Sequence, residues 1–231
     1  MRQHYQEHPC ILTNSGRFIG FIDGQEAITL PLAKSWSSYP FLSVIALRPV
    51  TTLWSTQLWS NLVIYRAGGY PIWTLDLCQH GYYFATGGAD SLGLLWSTDR
   101  TQPVRAFAGH FGDVNCVKFH PNSNYVVSGG ADRCVRLWDV SNGQCVRYFT
   151  GHKGGVYSLE WSTDGRYIVS GGSDGVVMVW DVGQGRLVGH SSPAVSTQVS
   201  KRFSRFSSTI ENRSVTVQSL AFSRDGNVLA A

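Results

Sequence analysis

The sequence predicts an all-β chain assembled from repeated four-stranded antiparallel sheets. Three observations lead there. Trp54, Trp96, Trp138 and Trp180 stand 42 residues apart, and self-similarity at a fixed period of about 20–50 residues marks stacked or radial repeat units. Short alternating segments separated by Asn, Asp and Gly turns fill each interval, and no helical period runs through residues 70–190. The composition agrees: 13% aromatic residues, 25 Gly and 15% charged residues, against roughly 25% charged in an average soluble domain.

The elements follow in chain order. Residues 1–50 are read as a non-repeat amino-terminal segment. Counting back in register, the slots that hold His, Ser and Asp further on hold Glu26, Val44 and Arg48. CILTNSGRFIGFID there reads as one hairpin. From residue 51 to 231 the repeat is expected, with an interruption at 191–214. Residues 51–66 read as the last two strands of one unit. Units at about 69–108, 111–150 and 153–189 are whole. Within 109–150, VNCVKF, YVVSGGAD, RCVRLWDV and QCVRYFT are four strands; HPNSN and SNG are turns, and the second strand ends in a tight bend. Asn142-Gly143, Asp164-Gly165, Asp174-Gly175 and Asp225-Gly226 supply the positive φ that tight hairpins require. Residues 215–231 read as the first two strands of a further unit, in register with 156–170. The stretch 191–214 carries eight Ser and four basic residues, which reads as a surface loop.

Several function classes are disfavoured by composition. No apolar run approaches the roughly 18–20 residues of a membrane helix. Residues 1–9 lack the apolar centre of a secretory signal. The net charge of +4 is slight support for nucleic-acid binding. The five cysteines, Cys10, Cys78, Cys116, Cys134 and Cys145, form no C-x-x-C pair. Free thiols packed in strands are therefore expected, with no zinc site and no disulfide framework. No phosphate-cradling Gly loop with Lys and no H-E-x-x-H occurs. No cofactor or small-molecule substrate is expected.

A polar set recurs in each unit: His110, Ser128, Asp132, Trp138, then His152, Ser170, Asp174, Trp180. One such set would suggest a nucleophilic triad. Recurrence at the repeat interval argues against that, because a reaction centre is needed once. Thr86, Asp90 and Trp96 continue the set in the preceding unit, where Ala67-Gly68 takes the Gly-His slot.

Gly109-His110 with Trp138-Asp139, and Gly151-His152 with Trp180-Asp181, open and close four-stranded units of this length. On those residues the chain resembles the WD-repeat family. The resemblance implies a β-propeller, here incomplete: about three whole four-stranded blades plus partial blades at both ends. That count falls short of closure, so the expectation is a piece of a larger propeller, or a product whose head and insert replace normal repeats. The resemblance also implies that Trp, Ser, His and Asp form one buried hydrogen-bonded chain in each blade. The early positions of each first strand, Trp73, Asn115 and Tyr157, with Asp113 nearby, are expected at the channel rim as partner contacts.

YPIW (70–73), HGYYFATGGAD (80–90), residues 107–161 and FSRDG (222–226) resemble, more narrowly, the WD-repeat subunits of the general transcription factor TFIID. That resemblance implies a non-enzymatic nuclear scaffold in transcription initiation, shared in some lineages with SAGA-type co-activators. It would dock histone-fold TATA-binding-protein-associated subunits, without direct sequence-specific DNA binding. The competing expectation is a substrate receptor of a ubiquitin ligase, with arginines lining a phosphopeptide pocket.

Overall fold

The computed structural model describes residues 68–191 without a break, together with 11–12, 18–22, 25–27, 42–47, 50–55, 60–66, 216–223 and 229–230. Every regular element among the described residues is a strand. Three four-stranded antiparallel sheets follow one another along the chain. The first holds β7 (Ile72–Leu77), β8 (Tyr83–Gly88), β9 (Leu92–Ser97) and β10 (Pro103–Ala108). The second holds β11 (Val114–Phe119), β12 (Tyr125–Gly130), β13 (Cys134–Asp139) and β14 (Cys145–Thr150). The third holds β15 (Val156–Trp161), β16 (Tyr167–Gly172), β17 (Val177–Asp181) and β18 (Arg186–Ser191). These are blades: each is a meander, and the first strands β7, β11 and β15 lie side by side.

Before them, β4 (Leu42–Leu47), β5 (Val50–Ser55) and β6 (Ser60–Arg66) form a three-stranded sheet. This sheet takes in residues 42–47, upstream of the point where the sequence pattern begins. Further upstream, β1 (Ile11–Leu12), β2 (Phe18–Ile22) and β3 (Gln25–Ala27) pair in order. After the third blade, β19 (Ala221–Phe222) pairs with β20 (Leu229–Ala230). Among the described residues the blades do not close into a ring. Residues 192–214 of the serine-rich stretch, the Asp225-Gly226 turn, Arg48 and Cys10 lie outside the described residues.

The blade interiors are built from the seams. Val114, Val117, Phe119, Val126 and Trp138 of the second blade pack with Ala85, Leu95 and Phe107 of the first. Val156, Leu159, Trp161, Ile168 and Trp180 of the third pack with Val127, Val135, Leu137 and Phe149 of the second. The glycine pairs explain themselves here. A Cβ on Gly129 would stand 2.7 Å from a methyl of Val156 in the next blade. A Cβ on Gly130 would stand 2.8 Å from His110 Nδ1. The first glycine of the pair admits the next sheet, and the second admits the histidine. Both distances are shorter than carbon and its neighbours tolerate.

Each seam is also sewn by hydrogen bonds. Phe119 N–H donates to Asp76 Oδ2 at 2.7 Å, and Val117 N–H to Thr74 Oγ1 at 3.2 Å. Trp161 Nε1 donates to Lys118 O at 3.3 Å. Arg105 reaches Ser141 O at 3.2 Å, and Arg147 reaches Gly183 O at 3.0 Å. These two arginines hold the same slot of β10 and β14, so they recur by blade.

Candidate functional site

The polar set converges in both blades that carry it whole. In the second, Trp138 Nε1 donates to Ser128 Oγ at 2.7 Å, and Ser128 Oγ lies 2.7 Å from His110 Nε2. His110 Nδ1 lies 2.9 Å from Asp132 Oδ1. In the third, Trp180 to Ser170 and Ser170 to His152 are both 2.8 Å, and His152 Nδ1 is 3.0 Å from Asp174 Oδ2. An indole N–H can only donate, and an ionised carboxylate can only accept. One polarity satisfies the whole chain: Trp N–H to Ser oxygen, Ser O–H to His Nε2, His Nδ1–H to Asp. The first blade keeps Trp96 Nε1 on Thr86 Oγ1 at 2.9 Å, and Asp90 accepts Leu92 N–H at 3.1 Å.

The electrostatics suit a neutral imidazole. Burial pushes His110 below its ordinary pKa, outweighing Asp132. Burial alone would raise Asp132. The His110 hydrogen bond and the N–H groups of Phe111 and Cys134 overcome that and hold the carboxyl low. Asp132 accepts those two N–H groups at 3.1 and 3.2 Å, so it also fixes the blade's hairpin bend. Ser128 Oγ already serves Trp138 and His110 and is buried. In the second and third blades these hydrogen bonds run from the hairpin bend to the buried tryptophan.

The rim positions behave differently from one another. Trp73 is half-buried and its Nε1 donates to Asp113 Oδ2 at 3.0 Å. Asn115 Nδ2 donates to Val156 O at 3.0 Å. Both therefore cross to the next blade. Tyr157 is 46% exposed. Phe111, which sequence reasoning passed over, is 91% exposed and carries the Arg136 guanidinium 6.0 Å from its ring centre. Two further features were also missed. Tyr65, Phe107 and Phe149 sit 42 residues apart and pack on Trp96, Trp138 and Trp180 at 5.7, 5.5 and 5.4 Å. The 42-residue ladder held that signal. Asp76, Lys118 and Glu160 also share one slot, with Lys118 Nζ 3.8 Å from Asp76 and 3.5 Å from Glu160.

Among the described residues no cluster of His, Cys, Asp and Glu could hold a metal ion. Cys78 and Cys116 are buried free thiols, and Cys134 is half-buried. Cys145 departs from the expected packing and is exposed, because β14 is its blade's outer strand.

Burial raises the Asp76 carboxyl to about 6 despite Lys118 and the Phe119 N–H, and Glu160 adds to the rise. The folded chain then takes up a proton as pH falls through 6, while the unfolded carboxyl waits until about 4. Stability from this group is therefore gained on acidification from pH 7 to 5 and lost again as pH rises through 6. His110 works the opposite way in that window, so the comparison must be with a variant. Asp76→Asn is expected to lose about 1 kcal/mol of that acid-side gain. Urea unfolding of both chains at pH 5 and 7 checks it, and parallel pH dependences contradict it.

The comparisons with known proteins bear on these blades directly. The family model of the WD domain, G-beta repeat, matches residues 101–139 and 143–181. Those two segments carry WD40 repeats. Those two matches take in Trp138-Asp139 of the second blade and Trp180-Asp181 of the third. The chain is 49% identical over 73 residues to transcription initiation factor TFIID subunit 5 of Caenorhabditis elegans, covering 32% of this chain and 11% of that protein. It is 40% identical over 52 residues to the WD40 repeat-containing protein HOS15 of Arabidopsis thaliana, covering 22% of this chain and 8% of that protein. The matched stretches thus span about a tenth of these relatives' length.

Proposed function

We propose that this WD-repeat chain serves as a non-enzymatic scaffold in a TFIID-type transcription initiation complex in the nucleus, holding histone-fold subunits. The observation that carries the reading is the 49% identity over 73 residues to a TFIID subunit. The geometry of the polar sets supports the non-enzymatic half: the same Ser, His and Asp recur in two blades, tied inward to tryptophan. The partner surface assigned to it is the end of the blades where β7, β11 and β15 begin. Tyr157 and Phe111 offer exposed rings there, and Trp73, Asp113 and Asn115 frame them. Exposed aromatics at a polar rim are effective anchors for a protein partner.

Affinity capture from nuclear extract with the full chain tests the reading. Histone-fold TATA-binding-protein-associated subunits are the expected catch, and ubiquitin-ligase adaptors would replace the proposal with the receptor alternative. That alternative needs arginines free to line a phosphopeptide pocket. The recurring pair, Arg105 and Arg147, instead bonds turn carbonyls of the next blade. Trp73→Ala with Tyr157→Ala should cut capture at least fivefold while the chain stays folded. Tyr157→Ala alone leaves the Trp73–Asp113 bond in place and separates lost contact from a loosened seam. Full capture by the double variant removes these positions.

A further inference from the structure

The two seams between whole blades differ at the end where the first strands finish. Cys78, His120 and Ser162 hold one slot, 42 residues apart, just after β7, β11 and β15. In the seam between the second and third blades His120 fills the space. Its Nε2 lies 3.1 Å from Gly165 O, and its ring meets Trp161 edge-on at 4.6 Å. In the seam between the first and second blades the same slot holds Cys78, whose Sγ accepts Tyr83 N–H at 3.3 Å. The position opposite is Ser123 in place of Gly165. A cavity of about 530 Å³ opens there. Its walls include His80, Tyr82, Tyr83, Asn122, Ser123 and Asp139.

The charge of this cleft is one-sided. Ser141 donates its hydroxyl and its backbone N–H to Asp139, holding that carboxyl below the usual range. Among the described residues no Lys or Arg lines the cavity. Arg105 touches the same turn, but its guanidinium is already committed to the carbonyls of Val104 and Ser141. An acidic group, amide acceptors and two exposed tyrosine rings suit a planar cation that donates several N–H bonds and stacks on aromatics.

We propose that this cleft takes an arginine side chain of a partner protein, whose guanidinium occupies the room that His120 fills one blade later. The site lies at the opposite strand ends from the Tyr157 rim and stands independently of the TFIID reading.

The probe is N-acetyl-L-arginine amide, titrated into the full, isotope-labelled chain and followed by amide chemical shifts. Saturable shifts confined to residues 78–83, 122–125 and 139–141 are expected. The citrulline counterpart, planar but uncharged, should bind at least fivefold more weakly. The double variant Cys78→His with Ser123→Gly copies the filled seam, and it should abolish the shifts and raise the thermal midpoint. The glycine is needed because a Cβ at Gly165 would stand 2.2 Å from His120 Nε2. Should that variant misfold, Tyr82→Ala removes a 65% exposed ring and should weaken binding at least threefold. Absent shifts, equal binding of citrulline, or unchanged binding by Tyr82→Ala would each overturn the assignment.

Discussion

Trp138→Ala is expected to destabilise the chain by about 3–5 kcal/mol, the range for truncating a large, fully buried aromatic. Trp138 is 1% exposed and sits in the cluster that joins the first two blades. Its removal takes away the stacking surface of Phe107. It also takes the donor from Ser128 Oγ. The loss therefore falls on a seam as well as on a blade. Trp138→Phe separates the two contributions, since it keeps most of the apolar area and loses only the N–H. Its cost should be nearer 1–2 kcal/mol, that of one buried hydrogen bond with some imperfect packing. Urea unfolding read by circular dichroism measures both. Equal losses in the two variants would mean that the hydrogen bond, and not the packing, dominates.

Asp132→Ala should cost about 1–3 kcal/mol, toward the top of that range, and His110→Ala somewhat less within it. The aspartate holds His110 and two backbone N–H groups, whereas the histidine holds Ser128 and Asp132. Removing either leaves buried groups unpaired, and unpaired groups in a partly satisfied network are expensive. The first blade provides the control. Asp90 lacks a histidine partner in register, so Asp90→Ala should cost less than Asp132→Ala. Calorimetric midpoints of the three variants check the order. Unchanged midpoints for His110→Ala and Asp132→Ala would remove the structural role assigned to the set.

The blades were legible because the 42-residue interval keeps residue type and register together. Trp96, Trp138 and Trp180 announce where each third strand lies, and Asp-Gly turns mark the bends. The chain of Trp, Ser, His and Asp could be anticipated because each polar group, once buried, has few ways to be satisfied. Contacts across the seams were harder. Trp73 meets Asp113 through a bond 40 residues away, a spacing that matches no period. Asp76, Lys118 and Glu160 share a slot but differ in charge, so a search for identical residues passes over them. The aromatic ladder of Tyr65, Phe107 and Phe149 was hidden by its ordinariness in strands. Cys78 and His120 show the same limit from the other side: the slot is visible in the sequence, but the empty volume beside Cys78 is a property of three dimensions.

The seams divide their parts between neighbours: one sheet brings the first glycine of its pair and the outer aromatic, and the following sheet brings the valine and the tryptophan. A copied segment of one period therefore arrives carrying a socket on one side and a plug on the other. Such a molecule can lengthen or shorten by whole units during its history without inventing a new joint, while an insertion of any other length must be carried outside the joints.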